Sequence, residues 1–471
     1  MPDGLTVVLD VGKTLTKLSL WSGSGEMLAR ETRANARPDA GAYAALDTAG
    51  VEAWMADVLS GFAAHGEVTG IVPVGHGAAL AVLRDGALAC PPPDYEAPAP
   101  EAVRAAYDLE RDAFVETGSP RLPDGLNCGV QLAWLEALHP GLLDPGAVIV
   151  TWPQYWAWVL CGVAATEVTS LGCHSDLWKP MAGEPSGLAR RRGWAGRLAT
   201  LRGAGEVLGP LRPEWAARTG LPATTRVYCG LHDSNAALLA ARGFAEIAQR
   251  ESTVLSTGTW FVAMRSPARR GDVDISALDA ARDSLVNVDV HGMPIPSARF
   301  MGGREVELLS GVDTRRIDIR PDQPALLAAV ADVVASGAYV LPTFTPGVGP
   351  FPTGSGGWID EPDDPIARRS AVCLYLALVA DASLALIGAR ERIVVEGRFA
   401  EAQVFVRALA ALRPADRIFV SNAQHDVSYG ALRLIQPDLP APSALEPVPP
   451  LTVDLRAYAA RWRQEAARLP L

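Results

Sequence analysis

The chain has 471 residues, 49% of them hydrophobic and 20% charged, which excludes wholesale disorder and predicts two or three domains. The 42 basic and 53 acidic residues give a net charge of −11, so no nucleic-acid partner is expected. Without a charge-free apolar run of about eighteen residues or a signal-peptide pattern, the sequence predicts a cytoplasmic chain with no membrane partner. Its six dispersed cysteines form no CxxC pair and are expected to be reduced, buried thiols.

The first part of the chain has the pattern of a β-hairpin followed by a further strand, a helix and another strand. Short apolar runs separated by glycine turns indicate strands, and apolar residues at helical spacing indicate the helix. The predicted elements are strands at 6–9 and 15–21, a turn at 22–25 leading into a third strand, a helix over 51–64 and a strand at 70–74.

The middle of the chain repeats this pattern after a helix–strand–helix stretch at 131–162. The predicted elements are a strand at 226–230, a helix of small residues over 233–241 and a hairpin with strands at 252–256 and 260–264. The two hairpins, at residues 10–14 and 256–260, are separated by about half the chain length. Two hydroxyl-rich glycine turns at this offset indicate a duplicated α/β architecture that binds a ligand between its halves.

The last part of the chain predicts alternating strands and helices around one long loop. The predicted elements are a strand at 339–342, a glycine- and proline-rich loop over 343–358, a helix over 368–388, a strand at 393–395, a helix ending at 412, a strand at 417–421, a helix beginning near 428 and an amphipathic helix over 454–468. The terminal helix is interpreted as a solvated packing element, and the long loop is either functional or a flexible excursion.

The turn after the first strand carries residue types that bind phosphate. Backbone N–H groups of a glycine turn, threonine hydroxyls and lysine ammonium groups all interact with phosphate oxygens. The candidates are Asp10, Gly12, Lys13, Thr14 and Lys17 in the first turn and Thr257, Gly258 and Thr259 in the second. Asp10 could also hold magnesium, directly or through water. The alternative is that Asp10 only ends a strand and Lys13 is solvated. Neither a Walker A loop nor a strand-associated GxGxxG motif is present.

Residues 230–237, with the sequence GLHDSNAA, contain the sharpest candidate for catalysis. Asp233 lies where a strand is expected to turn into a helix. It is either the N-cap of that helix or a general base that accepts the proton of a substrate hydroxyl. His232 is expected to pack or to form a hydrogen bond, because no second histidine is at metal-ligand spacing.

Together these motifs resemble those of the FGGY carbohydrate kinases, and they occur in the same order along nearly the whole chain. The resembling segments are residues 10–17 (first phosphate motif), 230–237 (catalytic segment), 256–260 and 300–302 (as in rhamnulokinases), 395–398 (adenosine motif) and 429–431 (closing Gly-Ala helix). Where the family has a run of glycines, this chain has Gly397 between Glu396 and Arg398. Residues 75–78, GHGA, also differ from the rhamnulokinase pattern.

The resemblance implies two duplicated ribonuclease H-like lobes, residues 1–242 and 243–471, of the actin-like ATPase fold with a cleft between them. It implies transfer of the γ-phosphate of ATP, with magnesium, to a hydroxyl of a ketose of the rhamnulose, fuculose, ribulose or xylulose class. Asp233 would be the base, and Gly347 and Gly397 would lie near the nucleoside. The candidates for sugar contacts are His76, Trp134, Gln154, Tyr155, His174, Asp176 and His232.

The alternatives are an actin- or Hsp70-like ATPase that does not act on sugars, and a kinase-like sugar-binding protein without phosphotransfer. Asp233 argues against the first, and the altered adenosine motif motivates the second. Each aromatic candidate could equally be a core residue. A homodimer is possible.

Overall fold

A computed structural model describes residues 4–311, 319–421, 427–441 and 444–469 of the chain. Two compact units are distinguished by their internal contacts. Unit 1 is Met1–Gly243 with Val286–Pro294 and Asp426–Pro440, and unit 2 is Phe244–Leu285 with Ile295–His425 and Ala441–Leu471. A single division at residue 242 therefore misplaces residues 286–294 and 426–440.

The main sheet of unit 1 contains an antiparallel hairpin, and the first strand of that hairpin pairs on its other edge with a parallel strand. The strands of unit 1 are β1 (Leu5–Val11), β2 (Leu15–Trp21), β3 (Met27–Ala34), β4 (Val68–Gly75), β5 (Leu80–Arg84), β6 (Ala87–Leu88), β7 (Val148–Thr151), β8 (Trp178–Lys179), β9 (Glu184–Pro185), β10 (Val207–Pro210), β11 (Arg226–Tyr228) and β12 (Leu231–His232). The main sheet has the order β10-β11-β4-β1-β2-β3, with β12 also paired to β4, while β6-β5-β7 and β8-β9 form small sheets.

Helices cover both faces of this main sheet. The helices of unit 1 are α1 (Thr48–Phe62), α2 (Glu101–Glu110), α3 (Phe114–Thr117), α4 (Cys128–Leu138), α5 (Trp152–Cys161), α6 (Val168–Leu171), α7 (Gly187–Arg191), α8 (Pro213–Thr219), α9 (Asp233–Ala241) and, from the late segment, α14 (Val427–Ile435). On β1, Val7 and Leu9 pack in one apolar cluster with α1 and α5, whereas Val8 packs in another with α9 and α14. Because successive side chains of a strand point to opposite faces of the sheet, the core of unit 1 is divided into two layers.

Unit 2 is built around a second sheet and one long helix. Its strands are β13 (Ser252–Thr257), β14 (Phe261–Ser266), β16 (Pro294–Phe300), β17 (Tyr339–Leu341), β18 (Gly357–Ile359), β19 (Arg392–Gly397), β20 (Arg417–Ser421) and β21 (Glu446–Pro447), and β15 (Ser284–Val288) crosses the boundary between the units. Its helices are α10 (Gly302–Ser310), α11 (Gln323–Ser336), α12 (Pro365–Leu386), α13 (Gln403–Leu412) and α15 (Arg456–Ala466). The sheet order is β15-β16-β14-β13-β19-β20-β21.

The two sheets share one arrangement, which confirms the predicted duplication. In unit 1 the series β3-β2-β1-β4-β11 consists of two antiparallel pairings followed by two parallel ones. In unit 2 the series β16-β14-β13-β19-β20 has the same pairings in the same order. Each unit is therefore a ribonuclease H-like lobe.

Helix α12 forms the centre of the unit 2 core. Asp364 caps it by accepting a hydrogen bond from Ala367 N at 2.7 Å, and proline stands in its first turn. Among the described residues it is the one helix whose length and composition would suit a membrane span, but 67% of its apolar window is buried within the protein. That burial is typical of a core helix.

Two of the predicted elements in unit 2 differ from the structure. The predicted loop over 343–358 ends in strand β18, which pairs with β17. The terminal helix is more than a solvated element, because Tyr458 and Trp462 are buried and donate hydrogen bonds to Ala338 O and Val340 O. The other predicted strands and helices are confirmed to within a few residues at their ends.

The late segment of unit 1 belongs there because α14 crosses α9 at very close range. A Cβ atom on Gly430 would lie only 1.7 Å from Ala236 O, so the crossing requires glycine. The other inserted segment is held in the same way by local contacts. Val286 N donates to Gly118 O at 2.8 Å, and Val288 packs against Gly172. Such long-range contacts have no local sequence signal, which explains why a single division of the chain fails.

Candidate active site

Three parallel strands of unit 1 end side by side, and each is followed by a predicted site residue. Asp10 and Val11 of β1 pair with Val74 and Gly75 of β4. His232 of β12 also pairs with Gly75. The turn at Gly12, the His76 segment and Asp233 therefore start from one edge of the sheet. In parallel α/β sheets this carboxyl edge is where ligands bind.

Asp233 is the first residue of α9, and His232 occupies the N-cap position. This overturns the alternative in which Asp233 itself is the N-cap. Its Oδ1 atom accepts a hydrogen bond from the neighbouring Ser234 N at 2.6 Å and lies 3.1 Å from Nε2 of His232. The side chain remains 31% exposed. Its Oδ1 atom is thus held by His232 and by both the N–H and the hydroxyl of Ser234, while part of the carboxylate stays exposed.

The charge of Asp233 is set by competing effects. Burial raises the pKa of its carboxyl group, but the charge of His232 and the hydrogen bond from it outweigh this, with smaller contributions from His76 and Ser234 N. The net pKa lies below the ordinary value, so Asp233 is a carboxylate at neutral pH. For His232, burial lowers the pKa, and the negative charges of Cys173 and Asp233 raise it well above the ordinary value.

His76 follows β4 and is buried beside aromatic residues. Its ring lies 5.3 Å from that of Tyr95 and 5.8 Å from that of Trp152, measured between centroids. Within the part of the chain that the structure describes, neither ring nitrogen has a hydrogen-bond partner. Burial lowers the pKa of His76 to about 4, so the ring is neutral at neutral pH and offers one donor and one acceptor. Buried polar atoms left open in this way suit the hydroxyl groups of a ligand.

The first turn of α5 touches the ends of β1 and β4 and the backbone just before β12. Trp152 Nε1 donates to Val11 O at 3.2 Å, and the Trp152 ring would contact any side chain placed at Gly75. Gln154 donates from Nε2 to Cys229 O and Gly230 O, each at 3.0 Å. The first turn of α5 thus fixes the backbone that precedes Asp233.

Four of the predicted sugar contacts are buried in contacts within unit 1. The amide group of Gln154 is fully used by the bonds just described and by the Thr151 hydroxyl. Tyr155 is 3% exposed and stacks on Trp152 in the core. Trp134 is likewise 3% exposed, and it packs edge-on against Tyr43.

The fourth, Asp176, is 3% exposed and forms an ion pair with Arg111. Tyr107 and Asn127 donate to the same carboxylate. Such a fully bonded buried carboxylate has little capacity left for a substrate. His174, by contrast, is only partly buried, and its Nδ1 atom lies 2.8 Å from Leu126 O, so it remains a candidate.

The turn that follows β1 is braced by a residue that the sequence analysis missed. Asn35 donates from Nδ2 to Gly12 O at 2.9 Å and to Lys13 O at 3.2 Å, and Asn35 N donates to Thr14 O. The Thr14 side chain is exposed. An asparagine shortly after the third strand of the hairpin is the sequence signal, but its partner is evident only from the fold.

The two lysines of this turn are paired with carboxylates, which differs from their predicted role as phosphate ligands. Lys17 Nζ lies 3.3 Å from Asp10 Oδ2. Lys13 forms ion pairs with Asp94 and Glu96 and lies 5.0 Å from the centre of the Tyr95 ring. Lys13 is therefore drawn to the 94–96 segment, because that segment offers two carboxylates and an aromatic face. The segment lies in the loop between β6 and α2, to which the sequence analysis assigned no role.

In unit 2, the turn after β13 is buttressed by the neighbouring elements. The Thr257 hydroxyl donates to Glu396 O at 2.5 Å and accepts from Phe399 N at 3.0 Å, so it braces β19 and is not free for a phosphate. Thr259 is exposed. A Cβ atom on Gly303 of α10 would lie 2.1 Å from Gly258 O, which places the start of α10 against the turn. Gly303 is a second residue that the sequence analysis missed.

Gly397 and Gly347 both adopt positive φ, but only Gly397 packs against the turn. Gly397 has φ +82°, and a Cβ atom there would lie 2.3 Å from Thr257 O. Gly347 has φ +87° and donates from N to Pro352 O at 2.7 Å. The start of the loop that contains Gly347 is held by the buried carboxylate of Glu305 in α10. Glu305 accepts hydrogen bonds from Phe344 N at 2.9 Å and from Tyr375 OH at 2.5 Å.

The site fits a magnesium–phosphate complex better than a free metal ion. Among the described residues no group of three or more His, Cys, Asp or Glu side chains could hold a metal ion. Asp10 is a 6% exposed carboxylate at a strand end beside a glycine turn. Magnesium bound to phosphates needs only one or two such carboxylates, since water and phosphate oxygens complete its shell.

Two ribonuclease H-like lobes, each with a glycine turn after its first strand, and a carboxylate at the carboxyl edge of the sheet define a phosphotransferase of the actin-like ATPase fold. Comparisons with known proteins give the family. The family described as "Carbohydrate kinase FGGY, C-terminal domain" matches residues 249–443. A crystal structure of a carbohydrate kinase from Novosphingobium aromaticivorans is 57% identical, covers 98% of this chain and 100% of that chain, and has a TM-score of 0.94.

Two more distant relatives agree with this assignment. An L-fuculokinase from Salmonella typhi is 28% identical over 326 residues, a match that spans 65% of this chain and 66% of the relative. The crystal structure of a xylulose kinase from Rhodospirillum rubrum is 20% identical with a TM-score of 0.75 and covers 98% of both chains, which supports the fold. The chain belongs to the FGGY carbohydrate kinase family, whose fuculokinase and xylulose kinase members transfer phosphate to a hydroxyl acceptor. Membership implies ATP as the phosphate donor.

Proposed function

We propose that this protein phosphorylates a hydroxyl group of a ketose, with Asp233 as the general base and magnesium ATP as the donor. The observation that carries the proposal is the pairing of two groups in unit 1. Asp233 is an ionised, partly exposed carboxylate, and His76, which follows the neighbouring strand β4, has two ring nitrogens without a hydrogen-bond partner among the described residues. One group accepts a proton, and the other offers hydrogen bonds to the hydroxyls of a sugar.

In the reaction, the acceptor hydroxyl lies against Asp233 and loses its proton to the carboxylate as its oxygen attacks the γ-phosphorus. The new O–P bond forms as the bond between the γ-phosphorus and the β,γ-bridging oxygen breaks, and ADP leaves with that oxygen. Ser234 N and His232 keep the carboxylate oriented and ionised beforehand. His76 and His174 would bind the other hydroxyls of the sugar.

Within unit 1, Gly12 and Thr14 are the groups we assign to phosphate binding. Within unit 2, taken by itself, the corresponding groups are Gly258, Thr259 and Gly397. Asp10 would hold magnesium, directly or through water, and Lys17 would exchange Asp10 for a phosphate oxygen when nucleotide binds. Magnesium, when bound, neutralises charge on the phosphates. In this proposal the Lys13 ammonium group does not bind phosphate. It holds the 94–96 segment in place through its ion pairs with Asp94 and Glu96.

The substrate can be identified with a coupled assay for ADP release over ketoses and polyols. L-Fuculose, a 6-deoxy ketohexose, is tested first because a fuculokinase is among the relatives. L-Rhamnulose, the ribuloses, xylulose and glycerol complete the panel. We expect sugar-dependent ADP release with one ketose. Sugar-independent ATP hydrolysis, or filament formation with ATP, would instead support an actin-like ATPase.

The role of Asp233 is tested by the substitution Asp233→Asn. We expect kcat to fall by about 10²- to 10⁴-fold with little change in ATP affinity, because the carboxylate acts on the acceptor. Asp57→Asn, at an exposed carboxylate on α1, is the matched control. Normal turnover by Asp233→Asn would show that this carboxylate is not the base.

The altered adenosine motif supports a second candidate, a sugar-binding protein without phosphotransfer. Glu396 and Arg398 stand beside Gly397, where the FGGY kinases have glycines. Calorimetry decides between the two functions. Binding of a ketose with no measurable ATP affinity would support the second candidate, and binding of both ligands supports the kinase.

A further inference from the structure

Cys173 lies next to the catalytic segment, although no part of the proposed reaction uses it. It is 3% exposed and follows α6, and its Sγ atom lies 3.5 Å from Nε2 of His232. The same Nε2 atom lies 3.1 Å from Oδ1 of Asp233. One ring nitrogen thus stands between a thiol and the carboxylate of the proposed base.

A single imidazole nitrogen cannot satisfy both neighbours in every protonation state. If His232 is neutral with its proton on Nδ1, Nε2 accepts the S–H hydrogen with its one lone pair, and the carboxylate loses a donor. If His232 is protonated, the Nε2–H group is donated toward Asp233, and the sulfur next to it is favoured as a thiolate. The second arrangement agrees with both distances, because it places a cation between two anions.

We propose that Cys173 is a positioning residue for the sugar kinase reaction, because its sulfur holds His232 in the protonated form that donates to Asp233. The thiolate neither touches the sugar nor accepts its proton in this arrangement. It acts through His232 on the orientation and charge of the base. The inference rests on the proposed role of Asp233.

The electrostatic surroundings of Cys173 favour the thiolate. Burial raises the pKa of the thiol, but the charges of His174 and His232 together lower it to about 6. Cys128 of α4, which interacts electrostatically with Cys173, has a pKa well above the ordinary value because it is fully buried.

Two further titratable groups face His232, and the Asn235 amide nitrogen lies 3.4 Å from its Nδ1 atom. The pKa of Glu167, at the start of α6, is raised by burial to about 7, so that its carboxylate adds a negative charge above this pH. His76 stays neutral down to its pKa of about 4. The cation at His232 is therefore supported by Asp233 and Cys173 from about pH 6 upward, and by Glu167 above about pH 7.

The first test follows the thiolate itself and needs no substrate. Its ultraviolet absorbance is titrated between about pH 5 and pH 9 in the wild type, Cys173→Ala and Cys173→Ser, with Cys128→Ala as the matched control. We expect an ionisation near pH 6 in the wild type and in Cys128→Ala that is missing from both Cys173 variants. A wild-type protein without any thiolate below pH 8 would overturn the proposal, whether or not the kinase activity has been found.

The second test follows the base. In Cys173→Ala and Cys173→Ser, the acid limb of kcat/KM for the sugar is expected to move upward by ~1 pH unit, which lowers the rate at the foot of that limb about tenfold. The KM for ATP should not change. The serine variant keeps a small polar group at this position, so the prediction can still be tested if the alanine variant does not fold. A thiolate that titrates as expected, with wild-type pH profiles in both variants, would refute a positioning role.

Discussion

The buried carboxyl group of Glu396 should make the stability of unit 2 depend on pH. Glu396 lies in β19, pairs with Ser256 of β13 and Ser421 of β20, and is 5% exposed. Burial raises its pKa from 4.5 to about 8, and a hydrogen bond with Ser256 only partly offsets this. The folded protein therefore holds this proton through a pH range in which the unfolded chain releases it.

The sign and size of the effect follow from this difference. The stabilising contribution is fully present below the unfolded value of 4.5 and is lost as the pH rises toward the folded value of about 8. At ~1.4 kcal/mol for each pH unit between these values, the upper bound is ~5 kcal/mol. Local opening of the strand end would reduce the loss, and we expect ~2 kcal/mol or more.

The substitution Glu396→Gln keeps the size of the side chain and removes its titration. Urea unfolding of wild type and variant, followed by tryptophan fluorescence, gives the free energy of unfolding at about pH 5 and pH 8.5. We expect the wild type to lose ~2 kcal/mol or more relative to the variant across this interval. Glu401→Gln, at a carboxylate 39% exposed and paired with Arg320, should follow the wild type. Parallel pH dependences of wild type and Glu396→Gln would refute the reasoning.

Three further predictions concern unit 1. His76→Ala should raise KM for the sugar about tenfold and leave KM for ATP unchanged, because it removes hydrogen bonds to hydroxyls; equal effects on both substrates would contradict this role. Gly230→Ala should lower the free energy of unfolding by ~2–4 kcal/mol, since Gly230 has φ +81° and a Cβ atom would lie 2.1 Å from a backbone carbonyl oxygen. Gly86→Ala, with φ +74° and no neighbouring atom, measures the cost of positive φ alone, and equal losses in the two variants would show that the contact is unimportant. Gln154→Ala should lower kcat and the melting temperature together, because two buried carbonyl groups lose their donor; an unchanged kcat would show that Asp233 does not depend on this brace.

The sequence predicts local features of this protein well and long-range contacts poorly. Each of the two hairpins, and the helix that begins at Asp233, is determined by residues that are close together in the sequence. These elements can therefore be predicted from local patterns. Gln154 was assigned to the sugar, because nothing in residues 131–162 indicates that the amide faces Gly230. The ion pair of Asp176 could not be predicted for the same reason, since Arg111 lies far away in the sequence.

The same limit explains what the sequence analysis missed. Cys173 has no local motif, and its proximity to His232 results from the packing of α6 against β12. Asn35 lies beyond the hairpin that it braces. For both residues the type is compatible with many roles, and only the tertiary contact selects one.

The first turn of α5 has a consequence for changing the sugar specificity of this enzyme. Trp152 and Gln154 join that turn to the ends of β1 and β4 and to the backbone before Asp233. A substitution there would displace both His76, which would bind the sugar, and Asp233, the proposed base. The resulting losses of sugar affinity and of turnover could not be separated. Libraries of variants for altered sugar specificity should therefore keep residues 151–154 constant and vary His76 and the 94–96 segment. Substitutions at those positions can accommodate a new sugar without moving Asp233.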